Sequence, residues 1–207
     1  MEKNEFIILV DMDDVLENLQ EAWVRRLNEK YNEKVDIHSV DNWNIGLFYP
    51  KLTIEQVLSP LVEDNFWKTV NPKTDAIEYL KKLYEEGFQI FVITSSHYLT
   101  LKNKLEQALW PYFPYIDEDH IIICNNKQLI KGNVLIDDGV HNLVDSHIAK
   151  ADYFKILFTA NYNKNYNSAE HDMCRVTNWA EVYTNIERLF VFKNELERMS
   201  GEEEKTP

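Results

Sequence analysis

The sequence predicts an α/β protein with a mostly parallel sheet covered by helices on both faces, and three observations carry that prediction. Short apolar runs alternate with helix-period segments along most of the chain. The runs are nearly continuous rather than alternating, as in strands buried on both faces. Several of them end in carboxylates, hydroxyls or a lysine, the groups an open α/β sheet delivers to the crevice beyond its strand ends.

The first strand is Phe6-Ile7-Ile8-Leu9-Val10, followed at once by Asp11-Met12-Asp13-Asp14. Leu19, Trp23, Leu27 and Tyr31 then recur at four-residue steps, one face of a helix over residues 17–31. Residues 32–71 are rich in aromatics and poor in strand-like runs. Loops are expected at residues 41–44 and 49–50, and a helix over 53–62 capped by Thr53. Pro72 precedes an amphipathic helix over 74–83, closed near Gly87. Residues 88–93 form the second strand, ending in Thr94-Ser95-Ser96-His97, and a helix covers 98–109. The third strand, 121–124, runs into Asn125-Asn126-Lys127, and the fourth, 134–136, ends in Asp137-Asp138-Gly139. A fifth strand over 154–158 and a closing helix over 182–199, with Trp179 packed at its start, complete the core. Right-handed crossovers between parallel strands follow from this alternation.

This pattern divides the chain into a core of residues 1–16 and 72–193, a helical insertion of residues 17–71, and a polar tail over 194–207 expected to be disordered. At 207 residues, one well-buried domain with a sizeable insertion fits better than two independent domains. No apolar stretch approaches the roughly 20 residues that cross a bilayer, and Met1-Glu2-Lys3-Asn4-Glu5 lacks the layout of a secretory signal, so a cytoplasmic location is expected. Cys124 and Cys174, the two cysteines, have no metal-ligand spacing and imply free thiols. A net charge of −13 argues against a nucleic-acid polymer as partner but leaves room for a small anion held by local cations. No membrane partner is expected. A homodimer is admitted by the sequence but not required by it.

Taken singly, the polar strand ends are ordinary: an Asp-x-Asp is usually a solvated loop or helix cap, a Thr a turn residue, a Lys an exposed charge. Their order is the signal. Phosphoryl transfer needs a nucleophile, an acid/base, donors for the equatorial oxygens and a metal to offset charge. Carboxylates after the first and fourth strands, hydroxyls after the second and a lysine after the third supply that set. Lys131 competes with Lys127 for the cation role, but it precedes Gly132 in the next loop, whereas Lys127 ends a strand. His97, His141 and His171 lie near motif ends without ligand spacing and read as structural. Cys124 reads as a small apolar residue.

In this order the motifs resemble the haloacid dehalogenase superfamily, with Asp11-Met12-Asp13, Thr94, Lys127 and Asp137-Asp138 in the places of its four motifs. More narrowly, the chain resembles the 5′(3′)-deoxyribonucleotidases. The opening Asp-Met-Asp, the Ile-Thr-Ser turn, the Leu-Ile-Asp-Asp stretch ten residues after Lys127, and Ile156-Leu157-Phe158-Thr159-Ala160 with Trp179-Ala180 carry that likeness across nearly the whole chain. It departs at Asp14, where the family usually has Gly, and at Gly139, where relatives often carry Arg. The resemblance implies a Rossmann-like core with a small helical cap inserted after the first strand, and a magnesium-dependent phosphomonoesterase acting on nucleoside monophosphates through an aspartyl-phosphate. It implies Asp11 as nucleophile and Asp13 as acid/base. It also implies Mg²⁺ on Asp11, the backbone carbonyl of Asp13, and Asp138, with Asp137 orienting a neighbour, while Thr94, Ser95 and Lys127 hold the phosphate. Trp43, Phe48, Phe66 and Trp67 are the candidates for stacking a base. The alternatives are a phosphatase of the same superfamily acting on another small phosphate ester, and a non-catalytic nucleotide sensor.

Overall fold

The computed structural model describes residues 1–203, with side chains to Ser200. Six strands form one sheet: β1 (Ile7–Val10), β2 (Gln89–Thr94), β3 (Ile121–Ile123), β4 (Val134–Asp137), β5 (Phe154–Phe158) and β6 (Met173–Val176). Their order is β3-β2-β1-β4-β5-β6, and every pairing is parallel. β1 therefore lies at the centre, where the strand order reverses between β2 and β4. A crevice opens at such a point in a doubly wound sheet.

The helices are α1 (Leu19–Tyr31), α2 (Ile54–Leu58), α3 (Ala76–Glu85), α4 (Tyr98–Lys104), α5 (Val140–Leu143) and α6 (Trp179–Glu203). Side chains alternate along each strand, so the two sheet faces bury different sets. Ile8, Val10, Val92, Val134, Ile136 and Ile156 join Leu80, Leu109, Trp179 and Ile186 in the larger cluster. Leu9, Ile93, Leu135 and Leu157 face Leu143 and Met173 on the other side. Residues 17–71 carry a third cluster of their own, Val24, Leu27, Val40, Ile45, Tyr49 and Val57.

Local signals explain the boundaries. α1 stops at Asn32, which takes a left-handed conformation (φ 52°) that Asn tolerates. Thr53 and Gln56 form a reciprocal capping box at the start of α2. Gly87 (φ 94°) turns the chain from α3 into β2. Trp179 is fully buried and donates its indole N–H to the Val15 carbonyl at 2.9 Å, tying α6 to the turn after β1.

The structure corrects several expectations. A sixth strand, β6, extends the sheet beyond β5. The helix expected over 53–62 passes into a 3₁₀ turn at Ser59–Val62, where Pro60 lacks the N–H that an α-helix needs. The helix expected over 98–109 is α-helical to Lys104 and continues as one π turn over Leu105–Leu109. The tail expected from residue 194 is helical through Glu203, because α6 continues, and the terminal amine binds Asn194 Oδ1 and Glu197 Oε2 at 2.9 Å each. Residues 204–207 of that tail lie outside the described residues. Among the described residues, no helix is long and apolar enough to cross a membrane.

Candidate active site

The carboxyl end of β1 carries the first group of the site. The Asp11 N–H donates to the Ile136 carbonyl (2.9 Å), which continues the β1–β4 ladder one residue beyond the strand and fixes the Asp11 backbone. Its Oδ1 accepts from the Met12 N–H (2.8 Å) and sits 2.7 Å from Lys127 Nζ. Lys127 is buried and spends a second donor on Asp137 Oδ2 at 2.7 Å. Asp137 also accepts from the Gly139 N–H (2.7 Å) and from Asn142 Nδ2 (3.1 Å to each oxygen). One lysine thus links the acids that end β1 and β4, while Lys131 is exposed.

Asp11, Asp137 and Asp138 each offer a carboxylate oxygen within 4.8 Å of the others, and all three are buried. Burial pushes the Asp11 carboxyl up to about 7 against the pull of Lys127, with Asp137 and Asp13 adding to the rise. Burial, then Asp137 and Asp11, hold Asp138 well above the usual carboxylate range. Burial opposes the charge of Lys127, yet Asp11 and Asp137 raise it above an ordinary lysine. A buried all-oxygen acidic set of this kind is stabilised by a proton or a hard cation and suits Mg²⁺ or a similar ion. The residues present therefore fit the metal that the resemblance implies. The Asp13 side chain stands outside this trio.

Asp13 is held by a different cation. Lys104, on α4 and buried, donates to Asp13 Oδ2 at 2.6 Å and to Thr94 Oγ1 at 2.7 Å. Ser95, at the exposed start of the loop after β2, points its hydroxyl to the Cys124 carbonyl (3.3 Å). Next to Asp13, Asp14 takes a left-handed backbone (φ 54°), the geometry that glycine adopts freely and Asp tolerates. Its carboxylate accepts from the Gln20 N–H (3.2 Å) at the start of α1. Burial raises Asp14 to about 6, against the pull of Lys73. Glu17 is buried with neither carboxyl oxygen hydrogen-bonded, and burial, then Asp13 and Asp14, raise it well above the ordinary range.

The acids at the carboxyl ends of β1 and β4, with Ser95 and Lys127, floor a cavity of about 370 Å³, while Thr94, Lys104 and Glu17 are buried and do not line it. Asp11, Asp13, Lys127, Asp137 and Asp138 lie on the core side, and Leu19, Gln20, Trp23, Trp43, Asn44 and Val57 among others on the side of residues 17–71. That wall is apolar and aromatic with two amides, the mixture that takes a flat heterocycle with polar edges. A wider groove of 870 Å³ shares Trp43, Asp138, Gly139 and His141 with it and continues toward Lys155 and His171.

Of the four aromatic candidates, the structure brings Trp43 to the cavity, 68% exposed. Phe66 and Trp67 do not line it. They pack edge to face in the main core, and Trp67 donates its N–H to the Leu61 carbonyl (2.9 Å). Phe48 packs against the separate cluster of residues 17–71. The sequence reading missed Trp23, Gln20, Asn44 and Lys104. For Trp23 a signal existed, since it shares the α1 face already identified. The reading also passed over Asn163, whose Nδ2 donates to the carbonyls of Asp138 (2.9 Å) and Phe158 (2.8 Å) and so fixes the backbone at Asp138. Arg175 on β6 holds Asn163 in turn through Oδ1 (3.1 Å) and the carbonyl (3.0 Å).

Comparison with known proteins gives the family and the fold. Residues 5–193 match the family model described as 5′ nucleotidase, deoxy (pyrimidine), cytosolic type C protein. A 5′(3′)-deoxyribonucleotidase of Bacillus subtilis (strain 168) is 33% identical over 178 residues, covering 85% of this chain and 95% of the relative. One from Clostridium acetobutylicum is 29% identical, covering 87% of this chain and 94% of its own. In fold, the chain is similar to a haloacid-dehalogenase-family hydrolase from Deinococcus radiodurans R1 solved with phosphate and sodium (TM-score 0.59, 16% identity, 88% of this chain and 95% of that one). It is also similar to a haloacid dehalogenase-like hydrolase from Streptococcus pneumoniae (TM-score 0.61, 11% identity, 87% and 98%). With its central β1, its paired acids on neighbouring strands and a family match spanning the sheet and the insertion, the chain belongs to the family of 5′ nucleotidase, deoxy (pyrimidine), cytosolic type C proteins.

Proposed function

We propose that this protein is a phosphomonoesterase that hydrolyses nucleoside monophosphates, deoxyribonucleotides by preference, with Asp11 as nucleophile. The observation that carries the reading is the pairing of Asp11 and Lys127 on the floor of a cavity whose opposite wall is aromatic with two amides. A phosphate at the floor would meet the nucleophile and a fixed ammonium, while a base reaching the wall would meet Trp43 and the amides of Gln20 and Asn44.

In the first step Asp11 attacks phosphorus as the bond to the ester oxygen breaks, and Asp13 gives its proton to that oxygen. The product is an aspartyl-phosphate on Asp11 and a free nucleoside. In the second step water attacks the same phosphorus, Asp13 takes back a proton, and inorganic phosphate leaves with Asp11 restored. Ser95 and Lys127, which line the cavity, would meet the charge that develops on the phosphoryl oxygens, with Thr94 buried behind them. Mg²⁺, held by Asp11, Asp138 and the backbone carbonyl of Asp13, would supply charge neutralisation and favour the ionised form of Asp11.

Asp11→Asn tests the reading against a panel of phosphomonoesters with Mg²⁺. The variant is expected to keep its fold and lose turnover of deoxyuridine monophosphate by at least about 10³-fold. Wild-type turnover by the variant would remove Asp11 from its role. A flat profile across nucleotides and sugar phosphates would instead favour a different small ester as substrate.

A further inference from the structure

We propose that Lys104 is a positioning residue for the acid/base step: its ammonium holds Asp13 and Thr94 together, so that one cation sets the orientation of both side chains. The inference rests on the phosphomonoesterase reading above.

Four observations meet at this side chain. Lys104 is buried although it carries a charge, and burying a lysine is unfavourable unless its donors are used. Two of them are used, on Asp13 Oδ2 at 2.6 Å and Thr94 Oγ1 at 2.7 Å. The Trp67 ring lies 5.4 Å from the same ammonium and closes its apolar side. Helix α4 ends at Lys104, and the single π turn over Leu105–Leu109 comes next, with the Trp110 N–H reaching back to the Leu105 carbonyl (3.0 Å). A π turn inserts a residue into the helix and rotates the two flanking segments relative to each other, and such turns collect at functional positions.

Donor directions set the chemistry. An ammonium has no lone pair, so both bonds run from lysine to oxygen. Thr94 Oγ1, as acceptor, keeps its own hydrogen free to donate. Asp13 Oδ2 is likewise committed as an acceptor. Its other oxygen, Oδ1, is buried without a hydrogen-bond partner, so the bond from Lys104 fixes how the carboxyl points. Lys127 performs a separate task, since its partners are Asp11 and Asp137. The two buried lysines divide the site, one beside the nucleophile and one beside the acid/base.

A leaving-group comparison separates positioning from general support of the fold. Deoxyuridine monophosphate expels a poor alkoxide that needs the proton from Asp13, whereas p-nitrophenyl phosphate expels a stable phenolate that does not. In Lys104→Met, kcat/KM is expected to fall by about 100-fold or more for the nucleotide and by under about tenfold for the aryl ester. The ratio is measured on one preparation, so a partly folded sample leaves it unchanged. Should Lys104→Met yield no folded protein, Lys104→Gln is held to the same criterion. Equal losses on both esters would overturn the role of Lys104 and leave the phosphomonoesterase reading intact. A wild-type protein inert toward both would overturn that reading and this inference with it.

Discussion

Replacing Lys127 by Met removes the cation that lies 2.7 Å from both Asp11 and Asp137 while keeping a side chain of similar length. Lys127 and both acids are buried at the cavity floor, and Met brings no donor to either acid. Breaking a buried pair in this way costs about 3–5 kcal/mol, chiefly because the remaining charge is left uncompensated. For a domain of this size about 2–4 °C is lost per kcal/mol, which gives a fall in Tm of roughly 6–20 °C. The penalty depends on pH with a definite sign. In the unfolded chain Asp11 ionises near its ordinary value, while in the fold burial already raises it to about 7 with the lysine in place. Without the lysine it rises further, so folding must hold a proton over a wider range, and stability falls as pH climbs through that range. Thermal unfolding of wild type and variant, followed by far-ultraviolet circular dichroism without divalent ions, should show a larger deficit at pH 8 than at pH 5. Adding Asp137→Asn to the variant should cost less than the two single losses combined, since the partners share one interaction. A variant within about 2 °C of wild type at pH 8, or one with equal deficits at both pH values, would refute the account of the lysine as the cation that makes these acids tolerable.

Mg²⁺ at about 100 times its Kd should stabilise the fold by about 2.7 kcal/mol. The rise in Tm should be greater at pH 8 than at pH 5, because Asp11 (about 7) and Asp138 must first lose protons, and Asp138→Asn should abolish most of it. Trp179→Phe removes the donor to the buried Val15 carbonyl and should cost about 1–3 kcal/mol in urea unfolding; Trp179→Ala should cost about 3–5 kcal/mol, and equal costs would deny the hydrogen bond its part. Asp14→Gly keeps the left-handed turn and removes a carboxyl raised to about 6, so its stability relative to wild type should improve from pH 4 to pH 7. Asp14→Ala should be the less stable of the two in melts at pH 7, because both lose the bond to Gln20 but Ala also keeps a Cβ at φ 54°.

The strands that deliver the acids were legible because their signal is local. β1 and β4 are continuous apolar runs that stop at carboxylates, and burial on both faces demands that composition. β6 was not legible: Met173-Cys174-Arg175-Val176 is short, half-buried and interrupted by an arginine that turns out to hold Asn163. Lys104 was invisible for a different reason. It lies in Leu101-Lys102-Asn103-Lys104, where two lysines look equally solvated, and only the packing of α4 under Trp67 buries one of them. Phe66 and Trp67 show the converse limit. An aromatic side chain is as suited to a core as to a base, and its sequence neighbours do not say which surface it will meet. The helix beyond residue 194 meets the far end of the chain, where the terminal amine binds Asn194, a contact that no local window contains.

The two crossings between the sheet and residues 17–71 lie side by side. The Asn18 N–H and side chain bind the Asn71 and Pro72 carbonyls, and the Lys73 N–H binds the Leu16 carbonyl at 2.8 Å. From the standpoint of the sheet, more than fifty residues leave and return through a gap no wider than a strand pair, as the bridge between Glu17 and Pro72 marks. The entropy of closing such a gap grows only with the logarithm of the length it encloses. Leu19, Ala22, Phe66, Trp67 and Val70 anchor the ends of this segment in the core of the sheet, so the stretch between them, which packs on a cluster of its own, can lengthen or shorten at small cost while Asp11, Lys127 and Asp138 stay where they are.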